Sequence, residues 1–388
     1  MILNKKSLKY LLQGSAFLGS GGGGSIASGV KFLEKIGNKK INLITRLDEE
    51  TAKLIGCIIC DIGSITKFDD RQDEALDFAY KLLRREFETT LGSIQVFLPI
   101  ETGPENTLAP FVLAARYNLS ILDADGAGRA IPTLPLCTFM SENVENIQPI
   151  ALANGAGDGI IVSTPDTSRL EEILRNMAST KTYASSASVA IFPNTLEELS
   201  KKSVSGSISN ALYCGELLTA IRNADEDKKQ AMLACVNSLE AYLVTSGEVC
   251  FKTSAEDNAF NFTTTKIKSA YDDTMTTILS QNESLIAFND SCYEPVAIAP
   301  DSICFLNYQF RPLTNVEVLA VDDNNKRKKQ KIHVIAVKAN SKLTDSKIMK
   351  SFEKIIHDLG YAGNMKINIP LLMPLGDLLV KLYNDSRS

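Results

Sequence analysis

Short apolar runs alternate with helical patterns between residues 54 and 122, and this alternation restricts the fold more than any other feature. Strand candidates at 54–62, 94–100 and 120–122 are separated by helix candidates at 69–89 and 108–117. A strand, a helix and another strand in succession form the βαβ unit of a parallel sheet. The sequence therefore predicts an α/β fold that begins with a layered domain built on a mostly parallel sheet.

The second half of the chain has a different character. Residues 247–268 and 284–321 are rich in β-branched and aromatic residues and are interrupted by Asn, Asp and Gly, which is typical of β structure. A chain of 388 residues has the length of about two domains. We expect an α/β domain at 1–165 and a β-rich C-terminal domain with helices at 166–388.

Charge and hydropathy argue against several classes of protein. The net charge is −5, whereas nucleic acids and anionic membranes are bound by basic surfaces. No apolar run approaches the ~20 residues that cross a bilayer, and the N-terminus lacks the apolar core of a signal peptide. We predict a soluble, cytoplasmic protein that binds neither nucleic acid nor membrane. The chain size and apolar content lead us to expect a homo-oligomer.

A glycine-rich segment joins the first two helix candidates. Gly19, Gly21 and Gly24 formally match the dinucleotide fingerprint, but a helix precedes them where that fingerprint requires a strand. We therefore expect no nucleotide. Ordering glycines costs backbone entropy, which makes sense if the main chain must approach a ligand closely. The sequence predicts that Gly21, Gly22, Gly23 and Gly24 bind substrate and that Ser25 caps the next helix; a flexible turn is the alternative.

An acidic residue, Glu101, directly follows the strand candidate at 94–100. Ligands of parallel sheets bind beyond the carboxyl ends of the strands, so Glu101 is a candidate catalytic residue. The residues after it have a second interpretation, because Glu105 and Asn106 could begin and cap the helix near Leu108. Both interpretations can hold, and we take Asn106 as a candidate for substrate binding.

Two further acids, Asp123 and Asp125, follow the strand candidate at 120–122. Residues two apart in an extended chain project to the same side, and two close carboxylates bind a cation or share a proton. Asp123 and Asp125 are thus candidate catalytic residues and candidate ligands of a divalent metal such as zinc or manganese. Arg129 could hold an acid or an anionic group in place. The alternative is an Asx turn.

The remaining residue types narrow the chemistry. The chain has only two histidines, so a metal site here would depend mostly on carboxylate, carbonyl or thiolate ligands. Cys57 and Cys60 are three residues apart in a strand candidate and should point to opposite faces. Gln281, Asn282 and Glu283 precede an apolar run and favour a hairpin turn.

Several of these segments resemble the S-methyl thiohydantoin desulfurase family, a former family of unknown function associated with hydantoinases. The similar segments are Phe17–Gly24, Glu101–Asn106, Asp123–Ala130, Val204–Leu212, Gln281–Ala287 and Pro300–Ile303. The resemblance implies an N-terminal α/β layered domain, a barrel-like sheet in the C-terminal domain, and hydrolytic removal of sulfur from a thiohydantoin ring. It also implies a hydantoinase- or oxoprolinase-type subunit as a partner.

Two hypotheses of different kinds follow. In the first, the protein is a hydrolase-like desulfurase of a small cyclic amide or thiohydantoin-type heterocycle. Glu101, Asp123, Asp125 and Arg129 would then form its catalytic group, with a metal at the aspartates. In the second, the protein is a non-catalytic, small-molecule-binding or regulatory subunit of a hydantoinase-type complex. A nucleotide-dependent oxidoreductase would depend on the glycine segment alone.

Overall fold

The computed structural model describes residues 1–63, 70–87, 92–140, 149–183, 186–223, 240–290, 295–318, 330–363, 365 and 373–374. Its helices are α1 (Lys5–Leu18), α2 (Ile26–Ile36), α3 (Gln72–Phe87), α4 (Ala109–Tyr117), α5 (Thr167–Ala178), α6 (Leu196–Lys202), α7 (Ser207–Asn223) and α8 (Ser346–Asp358). The strands up to residue 205 are β1 (Ile2–Leu3), β2 (Ile41–Ile44), β3 (Ile55–Gly63), β4 (Ile94–Pro99), β5 (Ser120–Leu122), β6 (Ala124–Asp125), β7 (Ile150–Ala153), β8 (Gly159–Val162), β9 (Ser186–Thr195) and β10 (Val204–Ser205). The later strands are β11 (Ala241–Asp257), β12 (Phe260–Ser269), β13 (Met275–Gln281), β14 (Glu283–Asn289), β15 (Pro295–Ile298), β16 (Ser302–Asn307), β17 (Pro312–Leu313), β18 (Gln330–Val337) and β19 (Met373–Pro374).

The first sheet has the strand order β1-β2-β5-β4-β3-β9-β7-β8. Its centre, β2-β5-β4-β3, is parallel, and the flanking pairs are antiparallel. The α/β class is confirmed, although the sheet is mixed as a whole. The division expected at 165–166 separates β9 from the other strands of this sheet, because β9 pairs with β3.

Helices cover both faces of the first sheet because its central strands are apolar on both sides. Along β3, Cys57 and Ile59 pack into the core under α1–α4 and α7, whereas Ile58 and Cys60 pack into the core under α5, α6 and α8. The two cysteines therefore lie on opposite faces, as their spacing predicts. Burial on both faces explains why the strand reads as one continuous apolar run.

Two helices pack unusually closely beside this sheet. A Cβ atom on Gly14 of α1 would lie 1.6 Å from the carbonyl oxygen of Ala211 in α7, and one on Gly215 would lie 1.8 Å from the carbonyl oxygen of Tyr10. Only glycine permits such an approach of two helix backbones. This contact fixes the end of α1, where the glycine-rich segment begins.

The second sheet is antiparallel and curls into a half-barrel, with the order β15-β14-β13-β12-β11-β18-β16-β17 and β19 added beside β11. One of its faces is covered by a cluster of buried apolar side chains from alternating strand residues, among them Val249, Ile267, Ile278 and Phe305. A single residue, Asn282, joins β13 to β14 in the left-handed conformation with φ 59°. The predicted hairpin turn is thus confirmed, and it points its next residue, Glu283, toward the first sheet.

No helix in the described part of the chain is long and apolar enough to cross a membrane.

Candidate active site

A cavity of about 70 Å³ lies at the carboxyl ends of β3 and β4. The end of β3, the loop after β4, the glycine-rich segment and α5 form four of its walls, and the β13–β14 hairpin of the second sheet forms another. The parallel centre of the first sheet brings these ends to one edge, which is where such sheets bind ligands. Pockets for drug-sized ligands hold roughly 300–1,000 Å³, so this cavity suits a very small molecule.

Glu101 lies in the cavity wall directly after β4, as its position in the sequence predicts. Its carboxylate accepts hydrogen bonds on both oxygens, from Asn106 Nδ2 to Oε1 and from the main-chain N–H of Ile131 to Oε2, each at 2.6 Å. Asn106 also accepts from the main-chain N–H of Asp61 through its Oδ1 at 2.8 Å. Asn106 therefore orients Glu101 and does not cap α4, whose first turn begins at Leu108 without a side-chain cap.

Glu283 reaches the same cavity from the second sheet and is 2% exposed. Its Oε1 accepts a hydrogen bond from the main-chain N–H of Gly23 at 3.2 Å. Its Oε2 is buried and accepts no hydrogen bond from any described residue. A buried carboxylate oxygen without a donor is costly, so this atom, together with Oδ2 of Asp61, which is unpartnered in the same way, is ready to meet a ligand.

Burial perturbs the titration of both acids, and the charge of Glu283 adds to the shift at Glu101. Loss of hydration, together with the nearby charge of Glu283, raises the pKa of Glu101 to about 8, although the bonds from Asn106 and Ile131 oppose the shift. Burial raises the pKa of Glu283 to about 7, opposed by the charge of Arg129. The pair therefore holds a proton near neutral pH, where an acid–base catalyst is most useful.

A second carboxyl pair, Asp61 and Glu105, lines the cavity beside the first. Asp61 Oδ1 accepts from Gln72 Nε2 at 2.7 Å and from Ser188 Oγ at 2.6 Å. Burial raises the pKa of Asp61 to about 6, and burial together with the charge of Asp61 raises the pKa of Glu105 well above its usual range. Sequence analysis did not assign either residue to the site.

The glycine-rich segment packs between the two carboxyl pairs. A Cβ atom on Gly22 would lie 2.0 Å from Glu283 Oε1, and one on Gly24 would lie 2.2 Å from Glu105 Cβ. Gly21, Gly23 and Gly24 also adopt positive φ angles, and Ser25 caps α2 as predicted by accepting from the N–H of Ser28. The glycines were predicted to let the main chain approach another group closely, and in the structure the groups it approaches are the side chains of Glu283 and Glu105. Gly23 and Gly24 line the cavity, whereas Gly21 packs against Asn315.

The structure places Asp123 and Asp125 outside the cavity wall and gives them different partners. Asp123 accepts from the main-chain N–H of Ser209 at 2.9 Å and from its hydroxyl, in the first turn of α7. Asp125 accepts from the main-chain N–H groups of Ala127 at 3.0 Å and Gly128 at 2.6 Å, and from the Thr102 hydroxyl. The bond to the residue two positions on is the Asx turn that stood as the alternative.

Arg129 is 1% exposed and does not line the cavity, although its charge acts on Glu283. Its guanidinium donates to four main-chain carbonyl groups, those of Ala130, Ser284, Pro300 and Asp301. The residue thus ties the loop after β6 to the second sheet, whereas we expected it to hold an acid or a substrate.

In the ranges that the structure describes, no three His, Cys, Asp or Glu side chains are arranged to hold a metal ion. The zinc or manganese predicted at Asp123 and Asp125 stays a prediction.

Comparisons with known proteins agree with the fold. The N-terminal domain model of the S-Me-THD-like family matches residues 6–164, and its C-terminal domain model matches residues 165–354. No curated protein gives a significant match. The crystal structure of a protein from Chromobacterium violaceum has the same fold, with a TM-score of 0.78 and 23% sequence identity, over 94% of this chain and 99% of that one. The chain therefore belongs to the S-Me-THD-like family, which confirms the resemblance seen in its sequence.

Proposed function

We propose that the protein hydrolyses a small thiohydantoin-type ring, or a related cyclic amide, at the carbon that carries the sulfur substituent. The observation that carries this proposal is the buried Glu101–Glu283 pair, in which Glu283 Oε2 has no described hydrogen-bond donor and both pKa values lie near neutrality. The family to which the chain belongs is named after S-methyl thiohydantoin, and that name supports the class of ring.

In the proposed reaction, Glu283 is the catalytic acid–base residue. Water adds to the ring carbon that bears the sulfur, Glu283 Oε2 takes one proton from that water, and the electron pair of the C=N bond moves to the ring nitrogen. The C–S bond then breaks, and the sulfur leaves as a thiol with the proton that Glu283 holds. The second water proton passes to the ring nitrogen as the carbonyl forms, so atoms and charges balance and Glu283 returns to its starting state.

Glu101 is a positioning residue in this scheme. Both of its oxygens accept from N–H donors, so it exchanges no proton with the ring, and its ionisation is coupled to that of Glu283, whose charge raises the pKa of Glu101. The N–H group of Gly23 donates to Glu283 Oε1 and thereby leaves Oε2 to face the cavity. Preorganised groups of this kind lower the cost of reaching the transition state.

The test is thiol release from an S-methyl thiohydantoin, followed with a thiol-reactive dye. We expect turnover by the wild-type protein and a loss of about 10²–10⁴-fold in kcat for Glu283→Gln. Glu101→Gln should shift the pH optimum of kcat/KM. Glu353→Gln, at an exposed residue of α8, is the matched control and should behave as wild type.

Two outcomes would contradict the proposal. Turnover that survives Glu283→Gln would place the acid–base residue elsewhere. A ring that binds but releases no thiol would favour the non-catalytic binding subunit.

A further inference from the structure

Acidic groups far outnumber basic ones in the cavity wall. Among the described residues that line it, the only basic side chain is that of Arg175, and the acids are Asp61, Glu101, Glu105, Glu171 and Glu283. The thiol of Cys60 is a further titratable group there, and Asp125 and Arg129 act on the cavity from behind its wall. At neutral pH the wall is neutral only to the extent that its carboxyl groups hold protons.

The two nearby arginines are already engaged with other groups. Arg175 Nε donates to Glu171 Oε1 at 2.7 Å, and its two terminal nitrogens donate to the carbonyl oxygens of Gly63, Ala259 and Pro132. Arg175 also lies over the ring of Phe260 at 4.2 Å. Within the described ranges, Arg129 donates only to main-chain carbonyl groups. Neither arginine supplies a hydrogen bond to Glu283 Oε2.

Glu283 Oε2 distinguishes between two kinds of five-membered ring. A neutral cyclic amide has a carbonyl oxygen beside each N–H, and this carbonyl oxygen would face the carboxyl-rich wall. A protonated cyclic amidine, guanidine or isothiourea carries N–H donors on both sides of one carbon and no acceptor between them. A carboxylate binds such a planar fork through charge-assisted hydrogen bonds, as it binds arginine.

We infer that the cavity selects the cationic form of its heterocycle, a protonated cyclic amidine, guanidine or isothiourea whose N–H donors bind Glu283. This inference depends on the proposed function only in placing the ring at Glu283. It explains why the wall has so many acids and why, among the described residues, no basic side chain donates to that oxygen. Protonation of the ring nitrogen also makes the neighbouring carbon more open to attack by water, and the second water proton then leaves to solvent because the ring nitrogen already carries one.

Binding of a cation has a second consequence. The Glu101–Glu283 pair holds a proton near neutral pH, and a bound cation takes the place of that proton. Up to about one proton should therefore leave the protein for each cation bound. A neutral ring would leave the protonation of the pair unchanged.

The experiment compares two rings of the same size by titration calorimetry. The cationic probe is 2-aminoimidazoline, the neutral probe is imidazolidin-2-one, and each is measured at neutral pH in phosphate and in Tris. We expect the cation to bind at least about tenfold more tightly, with an apparent enthalpy that differs between the buffers because protons are released. Glu283→Gln should remove the preference and the buffer dependence, and Glu353→Gln should keep both.

Equal or tighter binding of imidazolidin-2-one would overturn the inference, as would cation binding that is the same in Glu283→Gln. These results are distinguishable from failure of the proposed function. Preferred binding of the cation without thiol release from any ring would contradict the proposed hydrolase and support the cation selectivity. Thiol release without any preference for the cation would support the hydrolase and contradict the cation selectivity.

Discussion

The carboxyl groups of Glu105 and Asp61 line the cavity next to the glycine-rich segment, and the charge of Asp61 raises the pKa of Glu105. Two buried carboxyl groups so placed are more stable when one of them carries a proton. Asp61 accepts from Gln72 and Ser188 through Oδ1, and both bonds favour its charged form, so Glu105 carries the proton. Glu105 is thus a neutral part of the cavity wall, whereas Asp61 Oδ2, like Glu283 Oε2, is buried and accepts no hydrogen bond from any described residue.

This relationship predicts unequal effects of two substitutions. Glu105→Gln replaces a protonated carboxyl group with a neutral amide of the same shape and should change the free energy of unfolding by less than about 1 kcal/mol. Asp61→Ala removes the acceptor of both the Gln72 amide and the Ser188 hydroxyl and should cost about 1–3 kcal/mol for each buried group left unpaired. Urea denaturation of both variants at neutral pH measures the difference, and equal costs would contradict a protonated Glu105.

The raised pKa values predict that the protein becomes less stable as pH rises. Glu101 and Glu283 titrate near 8 and 7 in the folded state, above their ordinary value of 4.5. At pH values between the ordinary pKa and the raised pKa values, the unfolded chain binds fewer protons than the folded chain. The free energy of unfolding therefore falls with increasing pH. Each such proton contributes a slope of up to about 1.4 kcal/mol per pH unit.

The measurement is the free energy of unfolding across the range from the ordinary to the raised pKa values. Glu101→Gln, which cannot ionise, should flatten the slope, and Glu353→Gln should leave it as in the wild type. A slope that is unchanged in Glu101→Gln would mean that Glu101 ionises as readily in the folded protein as in the unfolded chain.

The glycine-rich segment offers a test with an internal control. Gly24 and Gly157 have nearly the same positive φ, 91° and 93°, but only at Gly24 would a Cβ atom meet another residue. Gly157→Ala should therefore cost only the backbone strain of about 1 kcal/mol. Gly24→Ala should cost more and reduce thiol release, because Glu105 must move. Thermal denaturation and kcat compare the two, and similar losses of stability would indicate that strain alone matters.

The two aspartates that sequence analysis favoured can be separated from the site. Asp123→Asn weakens a carboxylate contact in the first turn of α7, which should cost about 0.5–1 kcal/mol. Elemental analysis should find the same metal content in this variant as in the wild-type protein, and kcat should be unchanged. Loss of zinc or manganese on Asp123→Asn in a folded protein would instead support the predicted metal site.

Local patterns predicted the parts of the site that depend on neighbouring residues. Glu101 follows from its position after an apolar strand, and the α1–α2 connection with its Ser25 cap follows from the glycine run. Glu283 could be assigned only to a hairpin turn, because its place in the cavity depends on how two sheets pack together. Asp61 lies inside a strand that reads as apolar, so no local signal marks it. The Asp123 and Asp125 motif fits a site and an Asx turn equally well until the partner atoms are known.

The Glu101–Glu283 pair is divided between the two halves of the chain, and Gly23 of the first half holds Glu283 of the second. A gene fragment that encodes either half alone would carry one member of the pair and lose the proposed reactive centre. Recombination that exchanged one half for that of a distant relative would also pair the Glu283 of one parent with the glycine-rich segment of the other. These two parts would not have evolved together. We therefore expect these positions to be inherited as one unit and to change together over evolutionary time.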